Sequence, residues 1–541
     1  MRVFTYILPC FGSFKRHIYA SLSLKFTISS VKIALFGGNE QMHSKKLFKN
    51  TALMTSFSVL MRIIGLSFQV FISNTIGAEG IGLFQLVMSV NSLAITVATS
   101  GVRFAVTRLV AEVIGERKAQ DVRRVVRCCF IYATAFGLIA FFLVFFNAEY
   151  LAEFWAGDIR TAMPIKIFSL GLIFISITTV TGGYFTAAGR IGRGALIQLA
   201  EQLMMISFTM LLLPRAAGDM VVGCSTIAAA SVAADLLIFI ISIVVYLFDV
   251  RRYGRSFVKG KYFSRLISIA MPLALSAYAR TVLSTLQHML TPAGLRKSGA
   301  SAEEALSSYG IVHGMALPLV LFPSALFTSL AELLIPELTE HQVSGNTAMV
   351  NKTVNRILKL CLAFSICCAS VLFTFGDNLG STLYNNDSVG HYVKLLAPLV
   401  IIMYMDTVTD GMLKGLGQQL YTMGVNIADA ALSLAMVFWL LPIYAVKAYI
   451  FMIFTTECIN FILSMLRLVR MAEIRINIGD ILVPLICSLL AVNIAQLLLN
   501  VTGSVGTKIG LAAALCLSAI LCALLLRLFF SLDRERSPIR I

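Results

Sequence analysis

Apolar residues along this chain gather into long runs of about twenty positions, the length that crosses a bilayer as a helix. Short polar segments separate them. The runs are read at 48–75, 83–108, 128–147, 165–188, 195–213, 221–248, 266–290, 308–335, 360–377, 393–413, 420–441, 447–467, 480–500 and 508–530, and are numbered here as spans one to fourteen. Within several runs the polar residues recur at steps of three and four. Span one carries Thr55, Ser58, Arg62, Gly65, Gln69 and Ser73, and span two carries Gln85, Ser89, Ser92, Thr96, Thr99 and Arg103. Span seven carries Ser276, Arg280, Ser284, Gln287 and Thr291. Such spacing places each set on one face of a helix. The expected fold is an all-α polytopic membrane protein of about 14 transmembrane helices.

Composition removes the soluble alternative. Of 541 residues, 58% are apolar and only 13% charged, whereas soluble domains carry about 25% charge. The net charge of +17 points to membrane orientation rather than to nucleic acid, because the basic residues sit in alternate loops. One side receives Lys45, Lys46 and Lys49, the Arg117–Arg127 cluster, Arg190, Arg193, Arg251–Arg265, Lys352–Lys359, Lys414, Arg467–Arg475 and Arg527–Arg540. The other receives Arg160, Lys166, Arg215, Arg296, Lys297, Lys394, Lys447 and Lys508. The positive-inside rule then puts the basic side and both termini in the cytoplasm of a multi-pass protein of the cytoplasmic membrane. The eleven cysteines include no C-x-x-C pair and lie mostly in apolar runs, as small packing residues do.

Residues 1–46 form an N-terminal extension interrupted by Lys15, Arg16, Lys25 and Lys32, with no clear cleavage site. Either translation starts at Met42, whose MHSKKLFKN segment is a typical approach to a first span, or the extension is a loosely held interfacial segment. No nucleotide-binding, zinc-protease or nucleophile-elbow motif occurs, so neither an ATP-driven pump nor an enzyme is expected, and no organic cofactor is expected.

An internal repeat organises the rest. The segment 183–202 aligns without gaps on 411–430, pairing Gly183 with Gly411, Gly189 with Gly417, Gln198 with Asn426 and Glu201 with Asp429. Spans one and seven share Arg62-x6-Gln69 and Arg280-x6-Gln287. This spacing divides the chain into an N-lobe at 47–250 (spans one to six), a C-lobe at 251–470 (spans seven to twelve), and two further spans with a tail at 471–541.

Charges inside spans mark candidate chemistry. Arg62 and Arg280 lie about 20 Å from the basic edge at 1.5 Å per residue. With Arg103, Gln69, Gln287, Ser58, Ser92, Thr96 and His313 they form the expected lining of a wet cavity and the candidate substrate-binding set. Ser and Thr alone would equally suit hydrogen bonding between helices. Among the acids, Glu201, Asp235, Asp406, Asp410, Asp429 and Glu457 leave two readings open: a proton or cation site, or a counter-charge to arginine. Asn426 and Asp429 share a face of span eleven, and Thr455 and Thr456 stand in span twelve, an oxygen set suited to Na+ or H+ coupling. His288 and His313 read as packing or cavity lining, without a defined metal-ligand set. Pro272, Pro318 and Pro323 are expected to bend spans seven and eight.

The turn Gly77-Ala78-Glu79-Gly80-Ile81-Gly82-Leu83-Phe84, the segment GMALPLVLFPSALFTSLAELLIPELTE at 314–340 and LKGLGQQ at 413–419 resemble polysaccharide-biosynthesis transporters related to stage V sporulation protein B. These belong to the multidrug/oligosaccharidyl-lipid/polysaccharide exporter superfamily, which includes the lipid II flippases. The resemblance runs from about Leu47 to Phe530. It implies two six-helix lobes around a central cavity, plus two helices. It also implies flipping of a polyprenyl-pyrophosphate-linked saccharide, an oligosaccharide unit or a peptidoglycan precursor, by alternating access. Arg62 matches the family's first-helix arginine. The lipid II branch has a second arginine six residues later, where Phe68 stands here, and an Asp-Arg pair near His313. Asn426, Asp429 and Thr455 or Thr456 match that branch's sodium site, whose seventh-helix acid is missing. The resemblance further implies membrane lipids and enzymes of cell-wall or polysaccharide synthesis as partners. The alternatives are a multidrug/cation antiporter of the same superfamily and a non-transporting membrane assembly factor.

Overall fold

A computed structural model of the chain describes residues 43–115, 119–216, 219–253, 262–501 and most of 510–524, with side chains described from Leu60 onward apart from scattered positions such as Ser329 and Glu332. The extension before residue 43, with the candidate start at Met42, and the end of the tail lie outside the described residues. Among those described, the regular structure is all helical. That is what a chain must do where no water satisfies its amides and carbonyls.

Eleven helices are long and apolar enough to cross a membrane, or twelve if the bent pair Asp387–Leu396 and Leu399–Gly415 is one span. Spans one and two form a single stretch, His43–Thr99, broken at Gly77 (φ 73°) and continued by Val102–Gly115. The expected fourteenth span is represented by the shorter apolar helix Ala513–Cys522. Among the described residues, the eleven or twelve take the stretch broken at Gly77 as one and leave out this short helix.

The remaining spans correspond to Val122–Phe146, Ala162–Ala187, Ile191–Leu212, Met220–Val250 and Tyr262–Lys297, then Ala302–Val343 in pieces. They continue with Thr347–Tyr384, the bent pair, Gln419–Trp439, Leu441–Met471 and Gly479–Val501. Polar residues at the helix ends cap them: Asp219 accepts from Val221 N at 2.8 Å, and Ser301 with Glu304 forms a capping box. Span seven runs as one helix through Pro272 and Pro292. Span eight instead changes winding, with a π turn at Gly310–Ala316 before Pro318 and a 3-10 turn at Phe322–Ser324. Span ten bends by 60° between Leu396 and Leu399, where Pro398 removes an amide donor.

Large apolar side chains stand on the outside, among them Phe142, Phe146, Phe154, Leu275 and Phe373. A soluble surface would not carry so many. Inside, small residues bring helices together: Gly137 of span three meets Ser176 of span four, and Gly380 of span nine meets Gly390 of the bent span.

The two segments that align in sequence end their preceding helices in the same way. Gly189 and Gly417 adopt left-handed φ values of 70° and 72°. In the first turn Arg190 N donates to Phe185 O at 2.8 Å, and in the second Gln418 N donates to Leu413 O at 2.8 Å. Each helix before the turn packs through a glycine: Gly183 against the Arg103 carbonyl of span two, and Gly411 against Ala331 of span eight.

At the basic end of the N-lobe, buried Asp249 pairs with both Arg190 and Arg193 and accepts from Tyr184 Oη at 2.8 Å. This ties the turn after span four to the end of span six. Asp249→Asn is expected to lower stability by about 3 kcal/mol, the low end for breaking a buried pair because Arg193 keeps water. Thermal unfolding of the detergent-solubilised protein checks this, and an unchanged midpoint would show that the cluster contributes nothing.

Candidate functional site

Arg62, Arg103 and Arg280 are all exposed, although each stands within an apolar helix. None of the three has a side-chain hydrogen bond or ion pair among the described residues. A guanidinium at that depth needs water or an anion, so these side chains mark wet space. Their neighbours locate it at the seam between the lobes. Arg62, on span one, comes within electrostatic reach of Tyr404 on span ten. Arg280 adjoins Thr281, whose Oγ1 lies 3.5 Å from Thr96 Oγ1 of span two. Arg103 follows the break at Gly101, which packs on the Ala270 carbonyl of span seven, and Glu201 is its charged neighbour.

The polar stripes divide between lining and clamping. On span two, Ser89 O accepts from Thr285 Oγ1 at 3.2 Å, and Ser100 Oγ accepts from Tyr278 Oη at 2.7 Å. Together with Thr96 and Thr281, these contacts close spans two and seven along one seam, while Ser92 stays exposed. On span one, Gln69 Nε2 donates to Gly314 O of span eight at 2.8 Å, and Gly65 faces Gln202 of span five. The side chain of Ser58 lies outside the described residues. Gln287 is half-buried. His313 stacks on Tyr309, with ring centroids 5.3 Å apart, and its ring centre is 4.5 Å from that of His288. Tyr309 Oη meets His288 Nδ1 at 3.2 Å. These four rings, with Tyr449, form a packed polar–aromatic cluster.

Three members of the candidate ion set make local bonds. Asn426 Nδ2 donates to Thr422 O, Thr455 Oγ1 to Phe451 O and Thr456 Oγ1 to Met452 O, each one turn back on its own helix. Asp429 keeps Oδ1 buried without a partner, with Glu457 as a charged neighbour. A second group, of which only Asp406 stands among the acids read from the sequence, lies in spans ten and twelve. Asn460 Nδ2 donates to Asp406 Oδ2 at 3.3 Å, while Asp406 Oδ1, Asn460 Oδ1 and Ser464 Oγ are buried and unpartnered. The i, i+4 pairs Asp406/Asp410 and Asn460/Ser464 were the available signal for it. In the N-lobe, Asp235 fits against Gly171 of span four with Glu201 as its charged neighbour. Among the described residues, no group of three or more His, Cys, Asp or Glu side chains is placed to hold a metal ion.

The end opposite the basic loops is closed. A side chain on Gly82 would collide with the Leu306 carbonyl, one on Gly310 with the Ala78 carbonyl, and one on Gly314 with Ile81. Spans one, two and eight thus meet there backbone to backbone. Three side chains donate to main-chain oxygens and join the lobes around this contact: Gln69 to Gly314, Asn74 to Leu383 at 2.8 Å, and Arg296 to Gly157 at 3.2 Å through both terminal nitrogens. Arg160 is held within the N-lobe by Asp158 at 2.7 Å and Glu79 at 2.9 Å.

Residues 47–342 match the family described as polysaccharide biosynthesis protein. Stage V sporulation protein B of Bacillus subtilis (strain 168) is 25% identical over 398 residues, covering 72% of this chain and 75% of that one. The lipid II flippase MurJ of the same organism is 24% identical over 410 residues, covering 70% and 74%. Among solved structures, the inward closed conformation of lipid II flippase MurJ superposes with a TM-score of 0.64 at 14% identity, over 88% of this chain and 99% of that one. An inward-facing multidrug resistance MATE transporter superposes with a TM-score of 0.59 at 12% identity, over 76% and 95%.

The glycine contacts make the closed end testable. Gly310→Val should force spans one and eight apart at that end, so that a cysteine placed at Gln85 reacts with an impermeant thiol reagent added from that side. Unchanged labelling would show that the contact does not seal the path.

Proposed function

We propose, for a chain that belongs to the polysaccharide biosynthesis protein family, that it flips a polyprenyl-pyrophosphate-linked saccharide across the cytoplasmic membrane. The chain is a multi-pass membrane transporter of the multidrug/oligosaccharidyl-lipid/polysaccharide exporter superfamily, and its named relatives are transporters and flippases rather than enzymes. The observation that carries the substrate class is the set of three unpaired guanidiniums, Arg62, Arg103 and Arg280, at the lobe seam. Arginine offers forked donors matched to phosphate oxygens, and a pyrophosphate would satisfy the charge that the helices leave open. The saccharide would occupy the space between the lobes while the lipid tail stays in the bilayer. A cationic drug would meet repulsion from the same side chains, which disfavours the antiporter reading.

Orientation follows from the loop charges, with the basic end in the cytoplasm. The glycine-sealed end then faces outward, and loading occurs from the cytoplasmic side. Alternating access requires separating the neutral contacts of that seal while the seam of spans two and seven acts as the pivot. For coupling, the buried unpartnered carboxylate oxygens of Asp429 and Asp406 favour a proton or Na+ bound in the C-lobe. The Glu201–Asp235 pair is the corresponding N-lobe candidate.

Arg62→Ala and Arg280→Ala are expected to insert normally and abolish flipping in reconstituted vesicles, with Arg→Lys recovering only part of it because an ammonium lacks the fork. Full transport of a pyrophosphate-linked saccharide by the double alanine variant would overturn the anion-binding reading. The orientation has its own check. A cysteine introduced in the 112–127 loop should resist an impermeant reagent outside intact cells, and one beside Arg296 should react; the reverse pattern would invert the topology.

A further inference from the structure

Five cysteines converge where the C-terminal helices dock on span nine. Cys361, Cys367 and Cys368 lie in Thr347–Tyr384, Cys487 lies in Gly479–Val501, and Cys522 ends the described part of the last apolar helix. Two of them meet directly: Cys522 Sγ lies 2.9 Å from Cys367 Sγ. That separation is inside the van der Waals contact of two sulfur atoms and less than an ångström beyond the covalent bond of about 2.05 Å.

The surrounding contacts hold these helices in register. Lys359 pairs with Asp480 at 2.8 Å, and Ser370 Oγ lies 2.9 Å from Ser488 Oγ. Cys367 and Ser370 are three residues apart and so share a helix face. One face of span nine therefore meets span thirteen through Ser370 and the last helix through Cys367. The thiols stand in apolar helices, with Cys522 only 4% exposed, a setting that excludes water-soluble oxidants and admits lipid-soluble ones.

We propose that Cys367 and Cys522 are a disulfide-forming pair oxidised by a quinone dissolved in the bilayer. Both S–H bonds break and one S–S bond forms. The two electrons and two protons released reduce the quinone to its hydroquinone, so no other reactant is needed. The bond joins residues 155 positions apart and fastens the last helix to the C-lobe, so that they move as one body. This site is separate from the arginine-lined seam and does not depend on how the transported substrate is read.

The test uses the full chain in membrane vesicles, with a protease site inserted at position 505, between Cys487 and Cys522. Vesicles are treated with an alkyl-tailed benzoquinone whose ring is fully substituted, which leaves no position for thiol addition. After cleavage, most of the C-terminal fragment should stay joined to the rest on a non-reducing gel, with an intact mass lower by two hydrogens. A phosphine reductant should release it. Cys367→Ser and Cys522→Ser should each abolish the linkage while eluting as the parent protein does in size exclusion. Complete separation of the fragments after quinone treatment, or linkage that survives in Cys367→Ser, would overturn the proposal.

Discussion

A guanidinium cannot remain unpaired in hydrocarbon, and that constraint governs how this molecule is put together. Placing a charged side chain at the middle of a membrane helix costs about 2.5–3.5 kcal/mol even on insertion scales. Arg62, Arg103 and Arg280 meet the constraint by opening onto the seam between the lobes rather than by pairing with a carboxylate. The helices around them therefore cannot close completely. Wet space follows from these side chains, and the anionic substrate proposed above would match their charge.

The contacts that hold each lobe differ in kind from those that hold the lobes together. Within a lobe, charge is matched to charge: Asp249 with Arg190 and Arg193, and Asp410 with Lys414 at 3.3 Å. Lys359 with Asp480 fastens span thirteen to the C-lobe in the same manner. Across the seam, most bonds run from a side chain to a main-chain oxygen, as with Gln69, Asn74, Thr285 and Arg296. Side chain meets side chain at Thr96–Thr281, Tyr278–Ser100 and Tyr262–Asp121, and Arg265 pairs with Glu112 at the basic end, 3.0 Å apart and partly exposed. Bonds of this neutral or exposed kind are each worth about 1 kcal/mol, so a seam made of them separates more readily than a lobe unfolds. That difference suits a molecule whose two halves must part repeatedly.

Glycine does the same work at closer range. Where spans one, two and eight meet, Gly82 and Gly310 bring backbone against backbone, and Gly314 receives the Ile81 side chain. The seal is tight because surfaces touch, and it is reversible because nothing interlocks. Gly310 and Gly314, four residues apart within the Gly310–Ala316 turn, share one face of span eight.

The sequence by itself determined the helices, their membrane setting and the likeness of the two turns around Gly189 and Gly417, because these rest on local apolar runs, basic loops and backbone freedom. It also singled out Arg62 and Arg280, since charge within a span is visible without any fold. Tertiary structure alone decided which members of a polar stripe line space and which clamp helices. Gln69 and Thr96 read like their neighbours in sequence, yet each reaches the opposite lobe. It likewise turned Asn426, Thr455 and Thr456 back onto their own helices and brought Asp406 to Asn460, 54 residues away in the chain. The physical reason is that a hydroxyl or amide takes whichever acceptor the packing brings within about 3 Å. Periodicity fixes the face of a helix, but not what stands opposite it.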